Sequence, residues 1–271
     1  MTEAEAEQLE RSLKNCKSKE EAQQVCMNAK TRAMGGAGRE DGAMLLLLPA
    51  LDKAYDEHFT EAFMAFQKID PTQWARKEYF THYFSDVPCT YSMTVKLDVT
   101  RLRARGHKLF PAMLYCLTTI VNRHEEFRTC FNEEGQLGIF AQMLPCYTVF
   151  HPDSETFSNL WTEYTPDLGD FCAAYARDMA EYGARQGLMG KPDVPPNHFP
   201  VSTLPWTSFE GFHLHLQKGY DYLLPIFTLG KCYTEHGRFF LPLAVQVHHG
   251  VCDGFHVCRF LNELQALMDA E

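Results

Sequence analysis

Apolar and polar side chains alternate most regularly in YSMTVKLDV, residues 91–99, where every odd position is apolar. A period of two is typical of a strand with one buried face. A second strand is predicted over Phe239–Val247, where apolar residues alternate and Ala244 lies between them. Because neither face of that second strand is strongly polar, we expect both of its faces to be buried.

Helical spacing of apolar residues follows directly after this second strand. Between Gly254 and Met268, apolar side chains recur every three or four residues, which predicts an amphipathic helix with one buried face. The predicted face consists of Val257, Phe260, Leu261, Leu264 and Leu267.

The rest of the body is predicted to mix further helices and strands, bounded by turn residues. The predicted segments are helices at Trp74–Phe84, Pro111–Arg123 and Leu168–Arg185, a short helix capped by Thr100, strands within Phe127–Phe150 with a turn near Glu133–Gly135, a loop at Gly190–Pro200, and a hairpin of Tyr222–Tyr233 and Arg238–Val247 around Thr234–Gly237.

Residues 1–65 differ from the body and are predicted to form a helical extension of unknown role, separate from a domain at 66–271. Glu3–Met34 is rich in Ala, Glu, Gln and Lys and predicts a polar helix, and Gly35–Gly38 breaks it. Ala43–Phe66 has a second helical pattern. We favour a peripheral arm over an assembly or regulatory segment, since no motif here carries chemistry.

Composition excludes some classes of function. The chain has 271 residues, of which 45% are hydrophobic, and this fraction is ample for a core. A net charge of −10 argues against general nucleic-acid binding. The ten cysteines are scattered without CxxC pairs, which favours free thiols in a reducing cytoplasm. The acidic start is unlike a signal peptide, and the longest apolar run, Ala43–Leu51, is too short to span a bilayer.

The candidate chemistry lies between the last predicted strand and the last predicted helix, at His248, His249 and Asp253. One interpretation is structural: Asp253 caps the helix and the histidines are hydrogen-bonded at a strand end. The functional interpretation makes His249 a general base and leaves Asp253 to hold the loop. A metal held by His248, His249 and Cys252 is a weaker hypothesis, because the spacing lacks a second ligand pair.

The string HHGVCDGFH, residues 248–256, follows LAVQV and resembles the HHxxxDG signature of chloramphenicol acetyltransferases, within the wider HxxxDG of CoA-dependent acyltransferases. FQKIDPTQWARKEYFTHYF, residues 66–84, and the S-x-x-P-W stretch beginning at Ser202 resemble further family segments, in the family's order. The resemblance runs from about Phe66 to Gln265. It implies an α/β fold in which a mixed sheet has helices packed on one side, as a two-layer sandwich.

The resemblance also implies an activity and an assembly. Family members transfer an acetyl group from acetyl-CoA to a primary hydroxyl of chloramphenicol, in a ternary complex and without a metal. Their active sites lie between adjacent subunits of a homotrimer. The expected partners of this chain are therefore chloramphenicol or a similar hydroxyl acceptor, acetyl-CoA and two copies of itself, with no nucleic acid and no membrane.

The roles of the site residues follow from the same match. His249 is the expected general base, Ser202 the donor to the oxyanion, and Thr228 a residue that helps hold the intermediate through a water. By the WxRKE pattern, Arg76 forms a buried ion pair with Asp253, which makes Asp253 structural and not a proton relay. For Thr228, an ordinary strand role remains about equally plausible from the sequence alone. Cys252 is expected to be structural.

Five residues fall at positions that line the acceptor pocket in the family, and each also has a plain packing interpretation: Tyr83, Cys89, Phe157, Met189 and Leu214. Two positions depart from the family pattern. Met189 replaces an expected aromatic residue, and Cys232 replaces a Tyr expected against the CoA adenine, with Tyr233 facing the other way. Gly250 replaces a common Ala. These departures concern affinity and acceptor range.

Three alternatives remain open. The acyltransferase cores of 2-oxo acid dehydrogenase complexes share HxxxDG, but they are expected to carry lipoyl and Pro/Ala-rich linker segments, and no such segment is present here. The enzyme could act on a different hydroxyl or thiol acceptor. A catalytically silent binder of hydrophobic ligands with the same fold is the third possibility.

Overall fold

The alternating stretches form the centre of one large sheet. The computed structural model describes residues 65–216 and 221–270. Ten strands are formed within these ranges: β1 Phe66–Lys68, β2 Thr90–Asp98, β3 Thr129–Phe131, β4 Leu137–Phe140, β5 Leu144–His151, β6 Thr156–Trp161, β7 His198–Thr203, β8 Ile226–Leu229, β9 Tyr233–Glu235 and β10 Arg238–His248.

The helices occupy the connections between these strands. The described ranges contain α1 Lys77–Thr81, α2 Thr100–Ala104, α3 Leu109–Arg123, α4 Leu168–Tyr182 and α5 Gly254–Asp269, with a π-helical turn at His82–Asp86 and a 3₁₀ turn at Glu125–Phe127. Across these ranges, no helix combines the length and apolar character needed to cross a membrane.

Seven strands form a mixed sheet in the order β2-β10-β8-β7-β5-β6, with β9 paired to β10. The pairs β5–β7 and β7–β8 are parallel, and the other pairs in this sheet are antiparallel. A separate antiparallel sheet has the order β1-β4-β3. The prediction of a mixed sheet is therefore confirmed.

One face of the large sheet packs against helices. A row of apolar side chains crosses this face from β2 to β6: Met93, Val245, Phe227, Val201, Tyr147 and Leu160. The ring of Phe227 stacks on Phe260 of α5 at 5.3 Å, and Tyr147 contacts Tyr175 of α4 at 5.2 Å. The core therefore lies between the sheet and its helices, as the two-layer prediction requires.

The opposite face of the sheet carries small and polar side chains and a long loop. Thr94, Ala244, Thr228 and Ser202 share one row on this face. The loop that follows β7 crosses it at Gln246, whose Nε2 donates to the Leu214 carbonyl at 3.1 Å and whose Oε1 accepts the Leu214 N–H at 2.8 Å. Described helices thus cover one face, and this loop lies on part of the other.

Most predicted elements are confirmed with small shifts in their ends. β2, β10, α3, α4 and α5 lie where the patterns place them, and the turn before β4 is confirmed. The predicted helix at Trp74–Phe84 is split into a short α-helix and a π-helical turn. The predicted loop at Gly190–Pro200 ends early, because β7 already begins at His198.

Two predictions about element ends are wrong for identifiable reasons. Thr100 does not cap α2. Its N–H donates to Asp98 Oδ1 at 2.9 Å, and its hydroxyl instead accepts the Phe239 N–H at 2.9 Å. The helical pattern ending at Phe66 also stops too late, since Phe66 pairs with Phe140 in the small sheet. The remainder of the predicted N-terminal helices lies outside the described residues.

Candidate active site

The loop between β10 and α5 is built around His248. The His248 side chain is fully buried, and its Nδ1 accepts the Gly250 N–H at 3.0 Å. The His248 carbonyl accepts the N–H groups of Val251 and Cys252 at 3.1 and 3.0 Å. His248 is therefore a structural histidine that folds the loop back and leaves the next residue, His249, at its rim.

An ion pair between Arg76 and Asp253 closes this loop. The Arg76 guanidinium donates to both carboxylate oxygens of Asp253, at 2.8 and 3.0 Å. It also donates to the carbonyls of Gly250 at 3.3 Å and His249 at 3.4 Å. The Arg76 bond holds the pKa of the Asp253 carboxyl below its usual range. The side chains are 18% and 35% exposed, so the predicted pair is formed but only partly buried.

His249 is held on several sides. Its N–H donates to the Cys89 carbonyl at 2.9 Å, and its ring stacks on Tyr83 with centroids 3.8 Å apart and an interplanar angle of 6°. The ring of Tyr91 meets it edge-on at 5.4 Å. Because the imidazole remains 28% exposed, it is both oriented and reachable from solvent.

The Nδ1 atom of His249 faces Asp253. It lies 3.4 Å from Asp253 Oδ1, is buried, and forms no hydrogen bond within the described ranges. Both oxygens of Asp253 are closer to Arg76 than to the ring. This geometry leaves Nε2 as the nitrogen available to a substrate.

The side chains of His248 and Cys252, which a metal bound at this loop would need as ligands, already form other hydrogen bonds. Nδ1 of His248 accepts the Gly250 N–H, and the buried Cys252 thiol donates to the Glu126 carbonyl at 3.5 Å. Burial raises the pKa of the Cys252 thiol well above its ordinary value. The parts of the chain that the structure describes contain no group of three or more His, Cys, Asp or Glu residues able to hold a metal.

Ser202 lies on the sheet, well away from His249 of the same chain. Ser202 pairs with Thr228, and Thr228 pairs with Ala244 of β10, five residues before His249. Five residues of strand and two strand spacings correspond to a separation of roughly 19 Å. One chain therefore does not bring Ser202 and His249 to the same reacting atom.

The predicted pocket residues divide between these two places. Tyr83 stacks on the His249 ring, and Cys89 receives the His249 N–H at its carbonyl. Met189 forms a bridge with Asn159, and Asn159 pairs with Thr148. One further step of the β5–β7 register places Thr148 beside Ser202. Met189 therefore lies on the Ser202 side.

Phe157 also lies away from His249, whereas Leu214 lies beside Gln246, three residues before His249. Phe157 pairs with Phe150 on the sheet face of Ser202, and the Phe150 ring meets Trp206 edge-on at 4.7 Å. Leu214 lies in the loop that is hydrogen-bonded to Gln246. Phe157, Trp206 and Leu214 are all exposed. The predicted site residues therefore form two groups, one around His249 and one around Ser202. We call them the histidine half-site and the serine half-site.

Cys232 is half-buried and lies near a cation. Arg103 Nη1 donates to its Sγ at 3.7 Å, and the Arg103 guanidinium lies 3.8 Å from the centroid of Phe239. Tyr233 instead approaches Lys96, whose ammonium is 5.9 Å from its ring. Tyr233 and Cys232 therefore have different neighbours, as alternation along a strand predicts.

Two residues near the site were missed by sequence reasoning. Tyr91 was placed only in a strand, yet its hydroxyl donates to the Cys252 carbonyl at 3.3 Å, and burial raises its pKa. His256 lies three residues after the N-cap Asp253 and accepts the Asp253 N–H at Nδ1. The spacing of a capping box was the available signal for His256, and no comparable signal marked Tyr91.

The fold is shared with solved acetyltransferases. One structure described as chloramphenicol acetyltransferase matches with a TM-score of 0.65 and 21% identity, over 76% of this chain and all of that chain. A dihydrolipoamide acetyltransferase of Azotobacter vinelandii matches with a TM-score of 0.52 and 18% identity, over 70% of this chain and 86% of its own. At these identities the likeness defines the class of fold.

Sequence comparison defines the family. The family model for chloramphenicol acetyltransferase matches residues 64–265. A protein named chloramphenicol acetyltransferase from Campylobacter coli is 62% identical to this chain, over 76% of this chain and 100% of its own length. A protein of the same name from Vibrio anguillarum is 59% identical, over 76% of this chain and 96% of its own length. The chain belongs to the chloramphenicol acetyltransferase family.

Proposed function

We propose that this protein transfers an acetyl group from acetyl-CoA to a primary hydroxyl of chloramphenicol, and so inactivates the antibiotic. The observation that carries the proposal is His249. In a chain that belongs to this family, His249 stacks on Tyr83 and sits in a loop closed by Arg76 and Asp253. An imidazole that is oriented and exposed is suited to general-base catalysis near neutral pH.

The roles of the groups in the proposed steps come from the family resemblance. His249 Nε2 takes the proton from the acceptor hydroxyl, and the resulting alkoxide attacks the thioester carbonyl of acetyl-CoA. The Ser202 hydroxyl donates to the oxyanion of the tetrahedral intermediate, and Thr228 assists through a water. The intermediate then expels the CoA thiolate, which takes the proton from His249. No protein nucleophile takes part, which suits the buried, protonated Cys252.

We infer that each complete site lies between two subunits of a homotrimer. Two observations support this inference. The separation of roughly 19 Å between Ser202 and His249 is too large for one chain to use both on one intermediate. The serine half-site also exposes several large apolar side chains, which are typical of a surface covered by a partner. These residues are Phe150, Phe157, Leu188, Met189 and Trp206.

We also assign the acetyltransferase domain to 66–271 and the protein to the cytoplasm, where it would confer antibiotic resistance. The eight cysteines of the described ranges are free thiols, which suits a reducing compartment.

The first experiment measures CoA thiol release from acetyl-CoA, with and without chloramphenicol. We expect release that depends on chloramphenicol in the wild type and is lost in His249→Ala. His236→Asn is the matched control, since it removes an exposed histidine from a turn with positive φ that Asn tolerates. No release with chloramphenicol, but release with another hydroxyl compound, would replace the acceptor. No release with any acceptor, together with retained binding, would favour a silent binder.

A second experiment tests the shared site. His249→Ala and Ser202→Ala chains are co-expressed and purified as mixed trimers. In a cyclic trimer whose sites join neighbouring subunits, about a quarter of random interfaces combine an intact histidine with an intact serine. The two kinds of homotrimer contain no such interface and each mixed trimer contains one among its three, so purified mixed trimers should recover about a third of wild-type activity, well above either parent. Mixed trimers no more active than their parents would place both residues in one subunit.

A further inference from the structure

His256 occupies the third helical position of α5, and its ring is part of the cap of that helix. The N–H of the N-cap residue Asp253 donates to His256 Nδ1 at 2.9 Å. In a capping box, a side chain at this position accepts the N-cap N–H, and that side chain is ordinarily Glu or Gln. Here a titratable imidazole takes the same place.

His256 binds Asp253, and Asp253 holds the loop that carries His249. Asp253 is bound through its backbone to His256 and through its carboxylate to Arg76. Arg76 in turn donates to the carbonyls of His249 and Gly250. The His256 ring thus acts on His249 only through Asp253 and Arg76, which makes it a candidate positioning residue.

The hydrogen bond defines the protonation state of His256. A ring nitrogen that accepts an N–H must carry a lone pair, so the ring is neutral with its proton on Nε2. Burial lowers the pKa of His256 below its ordinary value. Among the charged groups that face it, Arg76 and Arg259 also disfavour the charged ring, while Glu126 and Asp253 favour it.

We propose that His256 is a positioning residue for His249, and that its neutral ring is required to hold the 249–253 loop in its active geometry. A proton on Nδ1 removes the acceptor for the Asp253 N–H and loosens the cap. On acidification, the active geometry of the 249–253 loop is then lost because His256 is protonated. His256 is a different group from the general base, His249. The proposal rests on the proposed function for its kinetic readout and on the fold alone for its stability readout.

The direction of the pH effect follows from linkage. Because the pKa of His256 is lower in the folded protein, the unfolded chain binds its proton first. The stabilisation is therefore complete above the ordinary histidine pKa and is lost as the pH falls through the lowered value. The depressed pKa of Asp253 acts in a more acidic range, which separates the two effects.

His256→Gln keeps a hydrogen-bond acceptor for the Asp253 N–H but removes the titratable ring, because Gln accepts at this position and does not titrate. Thermal melting is measured from about pH 8 to about pH 5, where an ordinary histidine changes charge. We expect the wild type to lose about 2–4 °C more than His256→Gln over this range. His236→Asn, which removes an exposed histidine, should follow the wild type.

Kinetics provide the second readout. In the wild type, the fall of kcat/KM at acid pH should report protonation of both His249 and His256. In His256→Gln, the same fall should report protonation of His249 alone. His256→Ala, which lacks any acceptor, should lose kcat about tenfold or more at about pH 8 with both KM values unchanged.

Two results would overturn the proposal: melting of His256→Gln with the wild-type pH dependence, or full kcat in a folded His256→Ala. If His256→Gln does not fold, His256→Glu takes its place, since Glu is the other usual acceptor. Failure of the proposed function would leave the melting result intact, because melting requires no substrate. Failure of this inference would leave His249→Ala inactive and the wild type active.

Discussion

The Arg76–Asp253 ion pair gives a sharp test of how the loop works. Asp253→Asn keeps the shape of the side chain and removes its charge, so Arg76 loses its ionic partner and keeps one amide oxygen. Arg76→Met makes the complementary change. If Asp253 is structural, both variants should lose activity only as far as they disturb the loop, and to a similar degree.

The magnitude follows from the exposure of the two side chains. Breaking a fully buried pair costs about 3–5 kcal/mol, and an exposed pair contributes about 0–1 kcal/mol. With Arg76 18% and Asp253 35% exposed, we expect a loss of about 2 kcal/mol in either variant. For a domain of this size, that corresponds to a fall in Tm of about 4–8 °C.

The assay is a double-mutant cycle measured both as Tm at fixed protein concentration and as kcat. The double variant should be little worse than the worse single variant, because each single change already breaks the same pair. In a His256→Gln background, where the cap does not titrate, the stability loss should be constant between about pH 5 and pH 8. The Asp253 pKa is depressed, so the pair itself fails only as the pH falls through that lowered value.

A proton relay predicts a different pattern. Asp253 Oδ1 lies 3.4 Å from His249 Nδ1, so a relay would make Asp253→Asn lose kcat while Tm and the loop remained unchanged. Arg76→Lys would then retain activity. That combination would refute the structural role of Asp253, whereas parallel losses in Tm and kcat would support it.

Two further predictions concern the serine half-site. Ser202→Ala should lower kcat about 10²–10³-fold with little change in either KM, as expected for loss of one oxyanion donor. Thr203→Val on the same strand is the control. Equal losses of kcat in both variants would contradict the role of Ser202 as oxyanion donor. Lys191→Met should raise the chloramphenicol KM several-fold and leave that of acetyl-CoA unchanged, because the Lys191 ammonium anchors the Met189 loop through Asp178 at 2.6 Å and the Trp161 carbonyl at 3.1 Å. Lys68→Met on the surface is its control, and equal rises in both KM values would show a general loss of structure.

The sequence was most informative where local periodicity and tertiary packing agree. Alternation over residues 91–99 matches β2, because one face of that strand packs on the core and the other does not. The helical pattern after Gly254 matches α5 for the same reason. Thr100 was misjudged because its hydroxyl is used by Phe239, a residue 139 positions away, and short-range capping rules do not detect such a partner.

The same limit applies to the active site. The Arg76–Asp253 pair and the position of His249 were predictable through family motifs, but the stacking of Tyr83 on His249 was not, because it depends on how the π-helical turn at His82–Asp86 is placed. The capping position of His256 is readable from spacing once α5 is known to begin after Asp253, although this position ordinarily holds Glu or Gln. Periodicity located the elements, whereas contacts between distant segments define the site.

The second face of the large sheet supports the proposal that another copy of the chain completes each site. Thr94, Thr228 and Ser202 are polar, and such alternation ordinarily indicates a face in contact with water. Yet Phe150, Phe157 and neighbouring apolar side chains are exposed at the same end of the sheet, where a solvated face would carry few of them. A face that is polar along its centre and apolar at this edge suits a partially hydrated substrate channel sealed by another copy. In the proposed trimer, the polar row would serve the intermediate, and the apolar residues would serve the acceptor and the subunit contact.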